Sequence, residues 1–338
     1  MAETTAVDRG DGRRMKDSLE RHQVPIYLAC VLIAAAIGLG YPPAAALADG
    51  VNPALALMLF VTFLQVPLAD IGSAFRNRRF IAALLAANFV AIPVLVSCLV
   101  QLAPEDPLVR LGILMVLLTP CIDYVITFSQ LGRADARLLL AATPLLLVAQ
   151  MVLLPAYLAV FIGADAAALV EPGPFLHAFA WLIVGPLLLA GVVQVLAPRS
   201  AAGRRVAGGL GALPVPATAL VLFLVVVSTV PLLGSAADRA AGALPVYLLF
   251  AVAAPAIGWM VAKGAGLGAA AGRAVAFSSA TRNSLVILPL ALSVPGGMPV
   301  LPAVIVAQTL VELVAELVYI RVGPRLGRNA KAPIRPAG

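Results

Sequence analysis

Residues 274–288 read Ala274-Val275-Ala276-Phe277-Ser278-Ser279-Ala280-Thr281-Arg282-Asn283-Ser284-Leu285-Val286-Ile287-Leu288, a full positive charge among hydroxyls and an amide inside an otherwise apolar run. A guanidinium at membrane depth is costly unless a protein cavity or a partner receives it, so Arg282 marks a functional site and not a lipid-facing surface. A second interruption of this kind, Thr119-Pro120-Cys121-Ile122-Asp123-Tyr124, divides the apolar run 108–131.

The surrounding chain has the composition of a membrane protein. Of 338 residues, 62% are hydrophobic and 12% charged, and the mean hydropathy is +1.02, far from soluble usage. The apolar runs are long and rich in Ala, Leu and Val, not short and alternating. That pattern predicts an all-α integral membrane protein and excludes an outer-membrane barrel. The net charge of +7 would suit nucleic acid, but the basic residues cluster between apolar runs, where they set topology. Nucleic acid is therefore excluded as a partner. Cys30, Cys98 and Cys121 all lie in apolar runs without Cys-x-x-Cys spacing, so neither a disulfide framework nor a metal site is expected. His22 and His177 assemble no hydrolase or zinc set, and Gly264 to Gly268 has no βαβ unit around it. Neither enzyme activity nor a cofactor is expected.

Ten segments are long enough to span, at 24–41, 51–69, 80–103, 108–131, 136–162, 175–197, 214–233, 242–262, 274–294 and 299–321. Alternate loops carry twenty of the 23 basic residues, from the N-terminal tail through Arg76, Arg133, Arg199, Lys263 and Arg273 to the C-terminal tail. The other loops hold Asp49, Glu105, Asp106, Asp165, Glu171 and the Asp238/Arg239 pair. The positive-inside rule then puts both termini in the cytoplasm of a multi-pass protein of the cell (inner) membrane. Ten spans with both ends inside divide into five plus five of opposite orientation, the plan of inverted-repeat transporters. The expected organisation is a basic tail 1–23, a first repeat 24–163, an inverted second repeat 164–322, and a basic tail 323–338. The two interruptions fall in the fourth and ninth segments, equivalent under this division, and paired breaks point to a transport site. The stretch 198–211 reads as a basic linker, partly an interfacial helix.

Four charges fall at membrane depth: Asp123, Arg282, Glu312 and Glu316. Asp123 and Arg282 occupy the two interruptions, and their pairing is the simplest neutralisation. Gln308 and Glu312, four residues apart, share a helical face. Glu312 suits a proton relay, whereas Glu316, nearer Arg321, is expected to be solvated. Cys121, after a helix-breaking proline, is expected to face a cavity, while Cys30 and Cys98 read as small apolar residues.

These residues resemble the bile acid/arsenite/riboflavin transporter superfamily over about 24–322. The resemblance implies ten helices in two inverted halves with broken, crossing fourth and ninth helices. Pro120-Cys121 and Leu310-Val311-Glu312 are similar to the Pro-Cys and Leu-Val-Glu elements of arsenite-efflux permeases, and the cysteine and carboxylate carry transport there. By that resemblance Cys121 would recognise arsenite or antimonite as a thiol ligand. Ser279, Thr281, Asn283 and Ser284 would bind its hydroxyls, and Asp123, Arg282, Gln308 and Glu312 would serve proton coupling or ion pairing. Bile acid:sodium symporters carry a Glu followed four residues later by Gln-Asn in the ninth helix. Here the matching positions are Ser278, Arg282 and Asn283, and a fixed cation in that place disfavours sodium coupling. The function expected is arsenite efflux by proton antiport, with a small-molecule substrate, protons and the lipid bilayer as partners. Two alternatives stay open: an organic-anion transporter that uses Arg282 to bind the substrate acid group, and a non-transporting membrane sensor.

Overall fold

The computed structural model describes residues 2–64, 77–122, 124–163, 181, 184–232, 236–292 and 294–327. The elements in chain order are α1 (Ala2–Gly40), a 3₁₀ segment (Pro42–Gly50), α2 (Val51–Phe63), and α3 (Arg78–Ala86), which runs through a π-helical turn (Ala87–Ala91) into α4 (Ile92–Leu99). Then come α5 (Pro107–Leu117), α6 (Val125–Leu131), α7 (Ala136–Ile162), α8 (Gly185–Leu196), α9 (Ala201–Leu210) and α10 (Pro214–Thr229). The chain continues through α11 (Ala236–Ala241), α12 (Leu244–Gly264), α13 (Ala269–Ala280), α14 (Ser284–Leu292) and α15 (Val300–Val322).

Among the described residues six helices are long and apolar enough to cross a membrane: Arg21–Gly40, Pro42–Val61, Arg78–Leu102, Leu145–Ile162, Ala236–Gly264 and Val300–Arg325. The pair Ala201–Leu210 and Pro214–Ser228, bent by 44°, adds a further candidate. The protein is thus an all-α multi-pass membrane protein. The stretch expected as a linker, 198–211, is largely α9, capped by the Ser200 side chain, which accepts from Gly203 N. The N-terminal stretch expected as a hydrophilic tail is helical from Ala2 and continuous with the first apolar run, for it holds no proline before Pro25. Asp123, Arg76, the end of the segment expected at 51–69 and the start of that expected at 175–197 lie outside the described residues.

Helices α1, α2, α8 and α10 pack on one another as one bundle, and α3 to α7 with α12 to α15 form a second. The bundles meet where α10 touches α15 and α14 touches α2. Polarity is inverted relative to a soluble protein. Val160 is 80% exposed and Val252 77%, whereas Arg282 and Glu316 are both 0% exposed. An apolar outer face suits lipid, where every backbone polar group must be satisfied internally. Pro255 illustrates the rule: it denies Ala251 O its helical donor, and Tyr319 OH donates to that carbonyl from α15.

The ends of the second bundle are tied by charge. Asp106 caps α5 by accepting from Leu108 N at 3.0 Å, and it pairs with Arg239 of α11. At the opposite end Arg273 donates to Arg133 O at 2.6 Å and to Leu326 O at 2.8 Å. Residues expected in loops on one side of the membrane therefore touch one another.

Close approach of α12 to α13 rests on Gly258: a Cβ there would stand 2.5 Å from Ser279 Oγ and 3.0 Å from the Ala276 Cα. Gly258→Val should therefore destabilise the second bundle by about 1–3 kcal/mol or more. Thermal unfolding of the purified protein would show a clear fall in Tm for Gly258→Val, against almost none for Gly264→Ala, where a Cβ meets nothing within 4 Å.

Candidate functional site at the helix crossing

The two sequence interruptions are helix breaks, and they pair with each other. Pro120 and Arg282 form an antiparallel bridge, flanked by Cys121 N donating to Thr281 O at 3.0 Å and Asn283 N donating to Thr119 O at 2.9 Å. In this pattern the central pair is not hydrogen-bonded, so proline, which lacks an N–H, loses nothing there. Cys121 lies across from Thr281, and Thr119 across from Asn283.

Breaking the helices frees carbonyls, and their new partner is the guanidinium. In an unbroken helix Leu117 O would accept from Cys121 N, and Ser278 O from Arg282 N, but both donors bond elsewhere. Arg282 Nη1 donates to Leu117 O at 3.3 Å, and Nη2 to Ser278 O at 2.5 Å and to Asn88 Oδ1 at 2.9 Å. The Phe250 ring lies 5.5 Å from the guanidinium carbon, within cation–π range. The last turns of α5 and α13, the negative poles of their dipoles, thus both point at one fixed cation. Asn88 sits in the π-helical turn, and its Nδ2 donates to Leu84 O and to Ser278 Oγ, which fixes its oxygen toward Arg282.

The backbone of Arg282 is held from the other side. Its N–H donates to Glu312 Oε2 at 2.7 Å, Gln308 Nε2 donates to the same oxygen at 2.6 Å, and Tyr124 OH donates to Oε1 at 2.6 Å. Ser284 Oγ donates to Gln308 Oε1 at 2.7 Å. A hydrogen-bonded line therefore runs from the start of α14 through α15 to the crossing.

Most of the residues singled out in the sequence gather here. Cys121 is fully buried, on the strand that pairs with Thr281 and Asn283. The amide of Asn283 is 1% exposed, and among the described residues neither its Oδ1 nor its Nδ2 is partnered, nor is Arg282 Nε. Each such buried group costs about 1–3 kcal/mol unless water or a solute satisfies it. Ser279 instead donates to Val275 O at 2.9 Å and packs toward Gly258. Asp123 lies outside the described residues, and among the described residues the Arg282 side chain meets only neutral acceptors.

Glu316 departs from expectation. It is 0% exposed, not solvated, because the face of α15 that carries it is turned into the bundle, where its Oε1 lies 2.5 Å from Thr281 Oγ1. Asn88 and Tyr124 are partners that sequence reasoning did not select. An amide stranded in the apolar run Leu84-Leu85-Ala86-Ala87-Asn88-Phe89 was the available signal for the first.

Two small cavities flank the line of polar groups, each with room for about one water. One lies between the bundles, with Ser284 and Thr309 facing Leu222 and Val226 of α10. The other lies inside the second bundle and is lined by Gln308, Glu312, Phe250 and Tyr319.

The sequence matches the Sodium Bile acid symporter family over residues 52–235, more than half of the chain. No curated protein matches it.

Arg282 and Asn88 should be strongly coupled. Asn88→Leu removes an acceptor from a buried cation and should destabilise by about 1.5–3 kcal/mol. In a double-mutant cycle of unfolding free energies, much of that loss should vanish in an Arg282→Met background; full additivity would mean that the contact carries no energy.

Proposed function

The chain belongs to the sodium bile acid symporter family, whose members are transporters, and from that premise we propose that it exports trivalent arsenic, as arsenite or antimonite, in exchange for protons. The observation that carries this reading is a fully buried thiol, Cys121, on one strand of the crossing, with the unpartnered amide of Asn283 on the other. Arsenous acid is neutral near pH 7, small, and presents hydroxyls around a soft, thiophilic centre. When a thiol takes it, the thiol proton and one arsenic hydroxyl leave as water as the sulfur–arsenic bond forms, and hydrolysis reverses the step. A single cysteine binds and releases where three would trap the metalloid. Asn283, Thr281 and Ser284 would hold the remaining hydroxyls.

Transport would then be movement of one bundle against the other about the crossing, with the two halves 24–163 and 164–322 inverted and both termini cytoplasmic. The proton would exchange at the carboxyl groups of α15. Arg282 would act as a built-in substitute for a mobile coupling cation, held by helix-end carbonyls.

One observation favours a second reading: the unpartnered Nε of Arg282 could receive a substrate carboxylate or sulfonate, making the protein an organic-anion transporter. The two readings separate cleanly. Everted vesicles should accumulate arsenite when a pH gradient is imposed, Cys121→Ser should reduce that uptake to the vesicle background, and Glu312→Gln should impair it. Undiminished uptake in Cys121→Ser would refute the arsenite reading, and loss of organic-acid transport in Arg282→Gln with a silent Cys121→Ser would establish the second.

A further inference from the structure

Two carboxyl groups lie one turn apart on α15, and their surroundings differ in kind. Glu312 Oε2 receives the Arg282 N–H and Gln308 Nε2, and its Oε1 receives Tyr124 OH at 2.6 Å, much closer than the 3.3 Å from that hydroxyl to Arg282 O; this donor set suits an ionised carboxylate. Among the described residues Glu316 has one hydrogen-bond contact, Oε1 against Thr281 Oγ1 at 2.5 Å, and its buried Oε2 has none. Thr281 Oγ1 also lies 2.8 Å from Phe277 O, and a hydroxyl has a single proton to give. Both Thr281 contacts are hydrogen bonds at once only if Glu316 supplies the second proton.

Among the described residues, the charged and titratable groups around Glu316 do not supply a cation. On its own helix stand Glu312, Tyr319, whose OH is committed to Ala251 O, and the exposed Arg321, which donates to Leu317 O. From α12 come Tyr247, bonded to Val304 O, and Lys263, which lies over the Trp259 ring. From α13 comes Arg273, committed to Arg133 O and Leu326 O. From the crossing come Arg282, Tyr124 and Cys121, with the partners given above, while Asp123 lies outside the described residues. An ionised carboxylate with one hydrogen bond and a neighbouring negative Glu312 would be far more costly than a neutral acid.

We infer that Glu316 is the proton-carrying residue of the exchange, and that Glu312 is the fixed anion that anchors the crossing. The inference rests on the antiport reading above. Its mechanism is competition: Thr281 lies across from Cys121, so a solute hydroxyl at the thiol and the Glu316 carboxyl contend for the same Thr281 oxygen. Binding of one then favours departure of the other, and mutually exclusive occupancy is what an antiporter needs. Glu316 also lies on the side of Glu312 that leads to Arg321 and the Arg133–Arg273–Leu326 cluster, which gives the proton its exit toward that face.

Infrared spectroscopy of the purified protein in lipid tests the assignment without any substrate. Near neutral pH the parent should show a protonated-carboxyl carbonyl band that shifts in D₂O, is absent in Glu316→Gln and persists in Glu312→Gln. Thr281→Val should move this band to higher frequency, since the acid loses its partner. A band that survives Glu316→Gln, or no such band in the parent, overturns the inference. In everted vesicles Glu316→Gln should keep arsenite-for-arsenite counterflow while its response to a pH gradient falls to the no-gradient level. A Glu316→Gln protein that still accumulates arsenite under the gradient also overturns it. Absence of counterflow in the parent would instead remove the arsenite reading and leave the infrared result to decide the role of Glu316.

Discussion

A guanidinium away from water must be met by oxygen atoms that the fold itself sets free, and at Arg282 those oxygens come from the helix breaks. Leu117 O and Ser278 O are available because α5 and α13 stop, and the helices stop where their chains leave to pair through Pro120 and Arg282. Break, bridge and buried cation are therefore one structure. Without the cation, two helix ends would point unsatisfied carbonyls at each other at membrane depth. Without the breaks, the cation would have no acceptors beyond Asn88 and the face of Phe250. Glu312 completes the arrangement by taking the Arg282 N–H that the broken helix no longer uses.

The same features explain which parts were legible in the sequence. Long apolar runs locate helices because lipid imposes a length and a composition, and the charge pattern of the loops groups Asp106 with Arg239 and Arg133 with Arg273, which do touch. Proline and polar residues in 119–124 and 278–284 exposed the two breaks, and the four-residue spacing of Gln308 and Glu312 exposed their contact. What the residues could not reveal is where a freed carbonyl turns, since backbone acceptors carry no sequence signature. The expected Asp123–Arg282 pair falls outside the described residues, and the partners of the Arg282 side chain that are described, Leu117 O, Ser278 O and Asn88 Oδ1, are neutral. Glu316 was misjudged for a related reason: distance from a span end along the chain says nothing about which face of α15 looks inward. Asn88 was hidden in a run whose other residues are apolar, and only the π-helical turn that aims it gives it a role.

The distribution of satisfied and unsatisfied groups separates scaffold from working parts. Glu312, Gln308 and Asn88 all use their polar atoms within the protein, which keeps the crossing rigid. Asn283, Arg282 Nε and Glu316 Oε2 hold unused capacity at nearly zero exposure. Native proteins carry few such groups. Gln23 and Gln150 carry the other such atoms among the described residues, but those at the crossing lie beside a buried cysteine and between two helical bundles.

A cation supplied by the chain itself should make an external one unnecessary. The most direct measurement compares the thermal stability of the purified parent protein in sodium, potassium and choline chloride at matched ionic strength. With Arg282 filling the space between the helix ends, Tm should be the same in all three salts. Selective stabilisation of the parent by sodium would contradict a built-in cation and restore a mobile ion to the crossing.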